Sequence, residues 1–391
     1  YDDGYLFGER KFNPDGKKGD STIVPMNWRK NWYSQANISY SIAQEFKLNL
    51  EGLYSREDFQ DYSHEYRWNP DGNVNKFSTS YNSTATLTHM LSSSSFYTIK
   101  GSYFNKVFNE HLYEDPSDIR YLHPDSLTSN YPSYAFRTKG TNLHRFYRET
   151  NTYLGKIDFT SQVSQEHLVK FGAEVKSHRM RFDDYTLEPL RKGGIPVEPF
   201  EPSIPAESQS NREKYGNEPF ETSLYLQDKI EFENVIINLG VRFDYFNSNG
   251  KVLFNDGVTN SFRDPNIYDP IRSELDSLSI ADREPYFYKD ADPKTQISPR
   301  FGIAYPISEA GVVHFSYGHF LQIPSFQYLF SKGPYKIPVS GLNVGVYGNP
   351  NLDPQRTVMY EIGLRQELSE DYVIDVTGFY RDVRSWITAG P

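Results

Sequence analysis

From residue 238 to 246 the chain reads NLGVRFDYF, with polar and apolar positions alternating. Asn238, Gly240, Arg242 and Asp244 fall on one side of an extended chain, and Leu239, Val241, Phe243 and Tyr245 on the other. A two-residue period predicts a β-strand with two unlike faces. The pattern recurs in pairs. ANISYSI (36–42) passes through AQE to FKLNLEGLY (46–54), and TATLTHML (84–91) through SSSS to YTIKGSYF (97–104). TYLGKIDF (152–159) is followed by TSQVSQEH and LVKFGAEV (168–175), and SLYLQDKIEF (223–232) meets EN and then the stretch above. RFGIAYPI (300–307) leads through SEAG to VVHFSYGHF (312–320), and VMYEIGL (358–364) through SED to YVIDVTGFY (372–380). About twelve strands in six hairpins are predicted.

The connections alternate in length. Within each hairpin only a few polar residues intervene, as tight antiparallel reversals require. Between hairpins the links run over roughly 60–80, 106–149, 183–219, 247–295 and 321–355. All tight turns therefore belong to one edge of the sheet and all long loops to the other. That asymmetry, strands extendable to about ten residues, and Tyr and Phe crowding the strand ends describe an outer-membrane β-barrel. A soluble sandwich explains the alternation alone. In a barrel Leu239, Val241, Phe243 and Tyr245 face lipid, which satisfies neither a charge nor a backbone group. Asn238, Arg242, Asp244 and, by the same alternation, Arg300 face the lumen.

Composition is consistent with that reading. The chain has 391 residues, with 31 Tyr and 27 Phe, and a mean hydropathy of −0.68. No window approaches the 18 or so apolar residues of a transmembrane helix. The absence of cysteine excludes disulfides, thiolate metal sites and a cysteine nucleophile. A net charge of −10, without a concentrated basic face, argues against nucleic acid as a partner. The opening YDDGYLFGERKFNPDGKKGD reads as a polar loop rather than a secretory signal.

Three longer stretches are recognisable: FETSLYLQDKIEFENVIINLGVRFDYF (220–246), QISPRFGIAYPISEAGVVHFSYGHFLQIPSFQYLF (296–330) and GNPNLDPQRTVMYEIGLRQELSEDYVIDVTGFYRDV (348–383). Their content and order resemble the barrel of TonB-dependent outer-membrane receptors, especially those of the Bacteroidetes. The resemblance implies a 22-stranded antiparallel transmembrane barrel with short periplasmic turns and long extracellular loops. It also implies a plug inside the lumen that contacts TonB, and energy-coupled uptake of a substrate bound by loops and plug. On this reading residues 1–391 are an internal part of a single barrel domain. Plug, signal peptide and C-terminal strands are expected to lie outside the chain. The implied partners are outer-membrane lipid, TonB through the plug segment, and a surface lipoprotein as a further candidate. Two rival readings are a barrel of the same ancestry that acts as receptor or scaffold without transport, and a soluble β-rich carbohydrate-binding or hydrolytic module.

Catalytic motifs are lacking: there is no nucleophile elbow or P-loop, and HEYRW (64–68) lacks the second histidine of a zinc-protease helix. No enzyme activity, cofactor or metal is expected. NPDGNVN (69–75) spaces Asn69, Asp71, Asn73 and Asn75 like a calcium loop but lacks the closing glutamate, so turn chemistry explains it better. His314 and His319 differ by an odd number and must face opposite sides of one strand. The binding candidates are aromatic and basic loop residues: Tyr131, Tyr134, Arg137 and Arg145 on one loop, and Phe326, Tyr328 and Tyr335 on another. Such groups suit stacking on sugars or packing against chelates and peptides. The competing explanation is packing of one loop on another.

Overall fold

The computed structural model describes residues 6–123, 136–207, 211–253, 288–331 and 348–388. Twelve long strands carry the fold. They are β1 (Trp28–Ser41), β2 (Phe46–Gln60), β3 (Asn75–Met90), β4 (Ser95–His111), β5 (His144–Gln162), β6 (His167–Thr186), β7 (Phe220–Phe232), β8 (Val235–Asn247), β9 (Lys294–Ser308), β10 (Gly311–Gln322), β11 (Gln355–Ser369) and β12 (Tyr372–Arg384). Each pairs antiparallel with its neighbours in sequence, so the sheet runs from β1 to β12 without a crossover. All six predicted hairpins are present, and the turns within them hold two to four residues.

The strands are longer than the alternation suggested, up to 20 residues in β6, and the long links shrink accordingly to 61–74, 112–143, 187–219, 248–293 and 323–354. The added residues lie at the long-loop ends, where both faces carry polar side chains and the two-residue signal fades. One long strand is also interrupted. A short strand, Arg212–Asn217, pairs with the upper part of β6, and β7 takes over below it. Between them Glu218 and Pro219 break the ladder, since proline offers no N–H. The Pro219 carbonyl instead accepts from the His178 amide at 2.9 Å.

Register separates the two faces. Ile99, Ile157, Ala173, Leu224, Phe243 and Ile297 stand on one face, aligned strand by strand. That face is apolar and open: Val241 is 44 % exposed and Ile297 67 %. It ends in a tyrosine row. The Tyr103 ring lies 5.5 Å from Tyr81 and 4.9 Å from Tyr153. Just above, Glu149 accepts from Tyr147 at 2.8 Å and from Asn151 at 3.0 Å, and Asn105 donates to Asn151 at 2.8 Å. Tyr153 stands ten residues above the turn that follows β5. At about 3.3 Å per residue and a tilt of about 40°, that is about 25 Å, the height of a barrel's apolar band.

Buried side chains are few in the sheet and concentrate under the loops. Tyr121, Leu143 and Leu187 form one small core. Tyr66, in a single-turn helix at His64–Tyr66, is 3 % exposed, and burial pushes its phenol well above the usual tyrosine range.

Candidate functional site

The opposite face is polar, and successive strands bring its side chains into rows. One row runs Lys100, Lys156, Glu174, Ser223, Asp244 and Gln296; the row below it runs Asp158, Gly172, Tyr225, Arg242 and Ser298. These groups interlock. Lys156 lies 2.9 Å from Asp158, whose Oδ1 also accepts the Tyr225 hydroxyl at 2.6 Å. Tyr225 stands two strands away and crosses β6 at Gly172, where only a missing side chain leaves room. A Cβ there would lie 2.5 Å from the Tyr225 ring. Lys176 meets Glu174 at 3.0 Å and Glu221 at 3.7 Å. Glu221 holds Nε2 of His178 at 2.9 Å, and Nδ1 of the same ring lies 2.9 Å from Thr152 Oγ1. Arg242 donates to Asp244 at 2.8 Å. Three polar clusters thus cover the face from β5 to β8, and Glu174, Lys176, Glu221, Arg242 and Asp244 line a recess of about 170 Å³.

An aromatic roof closes the upper side. After β10 the chain turns inward at a short helix, α1 (Phe326–Phe330). Leu329 and Phe330 pack with Met180 and Phe246 of the polar face, joined by Tyr215, Ile323, Phe326 and Leu352. Phe326 sets its ring edge-on to His178, with centroids 5.1 Å apart. The roof is tied at its base. Pro350 sits so close to Gly250 that a Cβ on that glycine would lie 2.5 Å from Pro350 Cβ, and Lys294 meets Asp353 at 3.0 Å.

Of the residues singled out in the sequence, Asn238, Arg242, Asp244 and Arg300 share this polar face: Gly240, midway between Asn238 and Arg242, pairs with Arg300. Arg300 lies over the Phe320 ring at 5.0 Å. The loop candidates diverge. Arg145 donates to the Tyr113 and Glu114 carbonyls and to the Tyr121 hydroxyl, bracing the loop after β4. Arg137 donates to Glu65 at 3.1 Å. Phe326 is part of the roof, and Tyr328 beside it is 53 % exposed. Tyr131, Tyr134 and Tyr335 lie outside the described residues. The sequence reading passed over Tyr225, Asp158, His178 and Glu221, which work across strands whose pairing only the structure reveals. Alternation alone does mark Tyr225 as a large aromatic on a polar face.

The four side chains of the calcium-like segment separate. Asp71 pairs with Arg10 at 2.6 Å, Asn69 donates to the Gly140 carbonyl, Asn73 to the Asp61 carbonyl, and Asn75 accepts from Gln60. His314 and His319 do face opposite sides, opposite Gly363 and Val358 respectively.

An apolar face about one bilayer tall, a charged opposite face and long loops at one edge describe the wall of an outer-membrane β-barrel. Over residues 2–391 the chain matches the family described as TonB dependent receptor-like, beta-barrel, and it belongs to that family of bacterial outer-membrane proteins. Solved structures agree in fold. The hemophore receptor HasR of Serratia marcescens, in complex with its hemophore HasA and heme, aligns with a TM-score of 0.57 at 13 % identity, over 93 % of this chain and 47 % of that one. The outer membrane transporter YddB from Escherichia coli gives 0.56 at 14 %, over 96 % and 42 %. The copper transporter OprC gives 0.55 at 10 %, over 96 % and 48 %. The chain spans about half the length of these structures. No curated protein sequence matches it.

Proposed function

We propose that this chain is the cargo-facing wall of an energy-coupled importer and not of an enzyme. The polar face from Thr152 to Arg242 is the observation that carries this reading. A charged, hydrogen-bonded face on a membrane barrel is stable only against water, cargo or another polar domain. In this reading Asn238, Arg242, Asp244 and Arg300 line the lumen. Arg137, Phe326 and Tyr328 of the loop rim would meet the cargo first, and so would Tyr131, Tyr134 and Tyr335. Arg145 supports that rim by holding its loop. A lumen plug would couple the wall to TonB, and a surface lipoprotein would cover the loops.

The test follows solutes taken up by cells that carry the full-length protein, with and without functional TonB. Mass spectrometry of the medium should find at least one solute depleted only when both are present. Equal depletion without TonB would leave a passive barrel or scaffold and end the importer reading.

A further inference from the structure

Below the mouth, the polar face of β4, β5 and β6 carries more positive than negative charge. Up to the row of Lys106, five lysines point to this side, Lys100, Lys106, Lys156, Lys170 and Lys176, against two carboxylates, Asp158 and Glu174. Both carboxylates are already engaged, by Lys156 and Lys176. Above that row the same face adds Arg148 and the acids Glu110 and Asp184, both held by His144. On β7 and β8 the acids of this face are taken as well, Glu221 by His178, Glu231 by Lys229 and Asp244 by Arg242. On β2, two strands from β4, Glu57 pairs with Arg29 and Glu51 accepts from Asn49. Among the described residues, Lys100, Lys106 and Lys170 therefore have no carboxylate partner. The excess runs against the composition, since the whole chain carries −10.

Placement is as informative as number. Lys100 stands directly opposite Lys156 across the β4–β5 ladder. Like charges so placed destabilise a sheet, and an anion between them reverses the sign of that term. Lys106 lies six residues above Lys100 on the same face of β4, a rise of about 20 Å along the strand. Lys170 lies two rows below Lys100, opposite Thr160 of β5. The free cations thus descend in steps from mouth to floor.

We propose that this lysine strip is a binding track for an anionic cargo, a solute bearing carboxylate or phosphate groups. The inference rests on reading the polar face as the lumen of an importer. Lysine suits a track better than arginine, because its hydrated point charge can change partners while the guanidinium fork clamps one. A path must bind well enough to admit a solute and weakly enough, at several sites, to release it. Because the acids in these rows of β5 to β8 are engaged, they do not screen the three free ammonium groups.

The experiment is lysine footprinting on the full-length protein in detergent. Acetylation of individual lysines is read by mass spectrometry with pyrophosphate as the probe anion, against sodium chloride at matched ionic strength. At a pyrophosphate concentration about ten times its Kd, Lys100, Lys106 and Lys170 should react about tenfold more slowly. Lys17, with a side chain 81 % exposed on a loop, should not change. Equal rates in the two salts would overturn the proposal. So would lysines unreactive in both, because acidic groups elsewhere in the full protein would then already cover the strip. The readout needs no energy source: TonB-dependent uptake without protection would spare the importer reading and reject the anionic cargo alone.

Discussion

A methyl group on Gly172 would meet three things at once: the Tyr225 ring at 2.5 Å, Asp158 Oδ1 at 2.7 Å and the Ile157 carbonyl at 2.8 Å. The ring could swing away, but the carbonyl belongs to the ladder and cannot. Gly172→Ala should therefore destabilise the barrel by about 1–3 kcal/mol, as overpacking does. It should also detach Tyr225 from Asp158, since the phenol reaches that carboxylate only by lying across the bare backbone. Equilibrium unfolding of folded protein in lipid or detergent measures the first effect. A variant as stable as the parent would show that β6 has slack at this position. Gly101 and Gly155, which pair on the apolar face, differ entirely: nothing lies within 4 Å of a Cβ built at either. The same residue type is required in one place and merely tolerated in the other.

At the scale of the element, hairpins were legible because burial alternates: one strand face meets hydrocarbon and the other does not, so the two-residue period survives in every strand. Upper strand ends, such as FNKVFNEH in β4, rise above the apolar band and lose that contrast. The break at Glu218–Pro219 and helix α1 were not legible, since each depends on partners distant in sequence. The loop residues chosen for aromatic and basic character were only partly readable for the same reason. Arg145 is drawn into bracing its own loop, while Phe326 closes the roof. That roof is a small structure resting on a few contacts. Phe326→Ala should weaken it by about 1–3 kcal/mol, less than the loss of a fully buried phenylalanine. Amide exchange should then quicken by about tenfold or more at Tyr328, Ser331 and Gly348, whose N–H groups bond within this segment. Unchanged exchange at these amides would mean that the roof is held from its base, by Pro350 and Asp353, and not by the ring on His178.

Over the whole molecule the two faces set the orientation in the membrane. Val241 and Asn238 share β8 yet point to opposite sides. Val241→Arg should cost about 2–4 kcal/mol if it lies near the bilayer midplane, whereas Asn238→Gln should cost little. Small, equal losses in reversible unfolding from lipid vesicles would contradict the assignment of faces. The sheet order ends at β1 and β12, with no pairing between them among the described residues. The division into long and short connections also constrains how relatives of this chain can diverge. One residue gained or lost inside β8 would turn every later side chain of that strand to the wrong side. The same change in the link 248–293 alters no register of the twelve-stranded sheet. Descent therefore has one rim on which insertions of any length accumulate, and a wall that accepts change only by substitution or by residues in pairs.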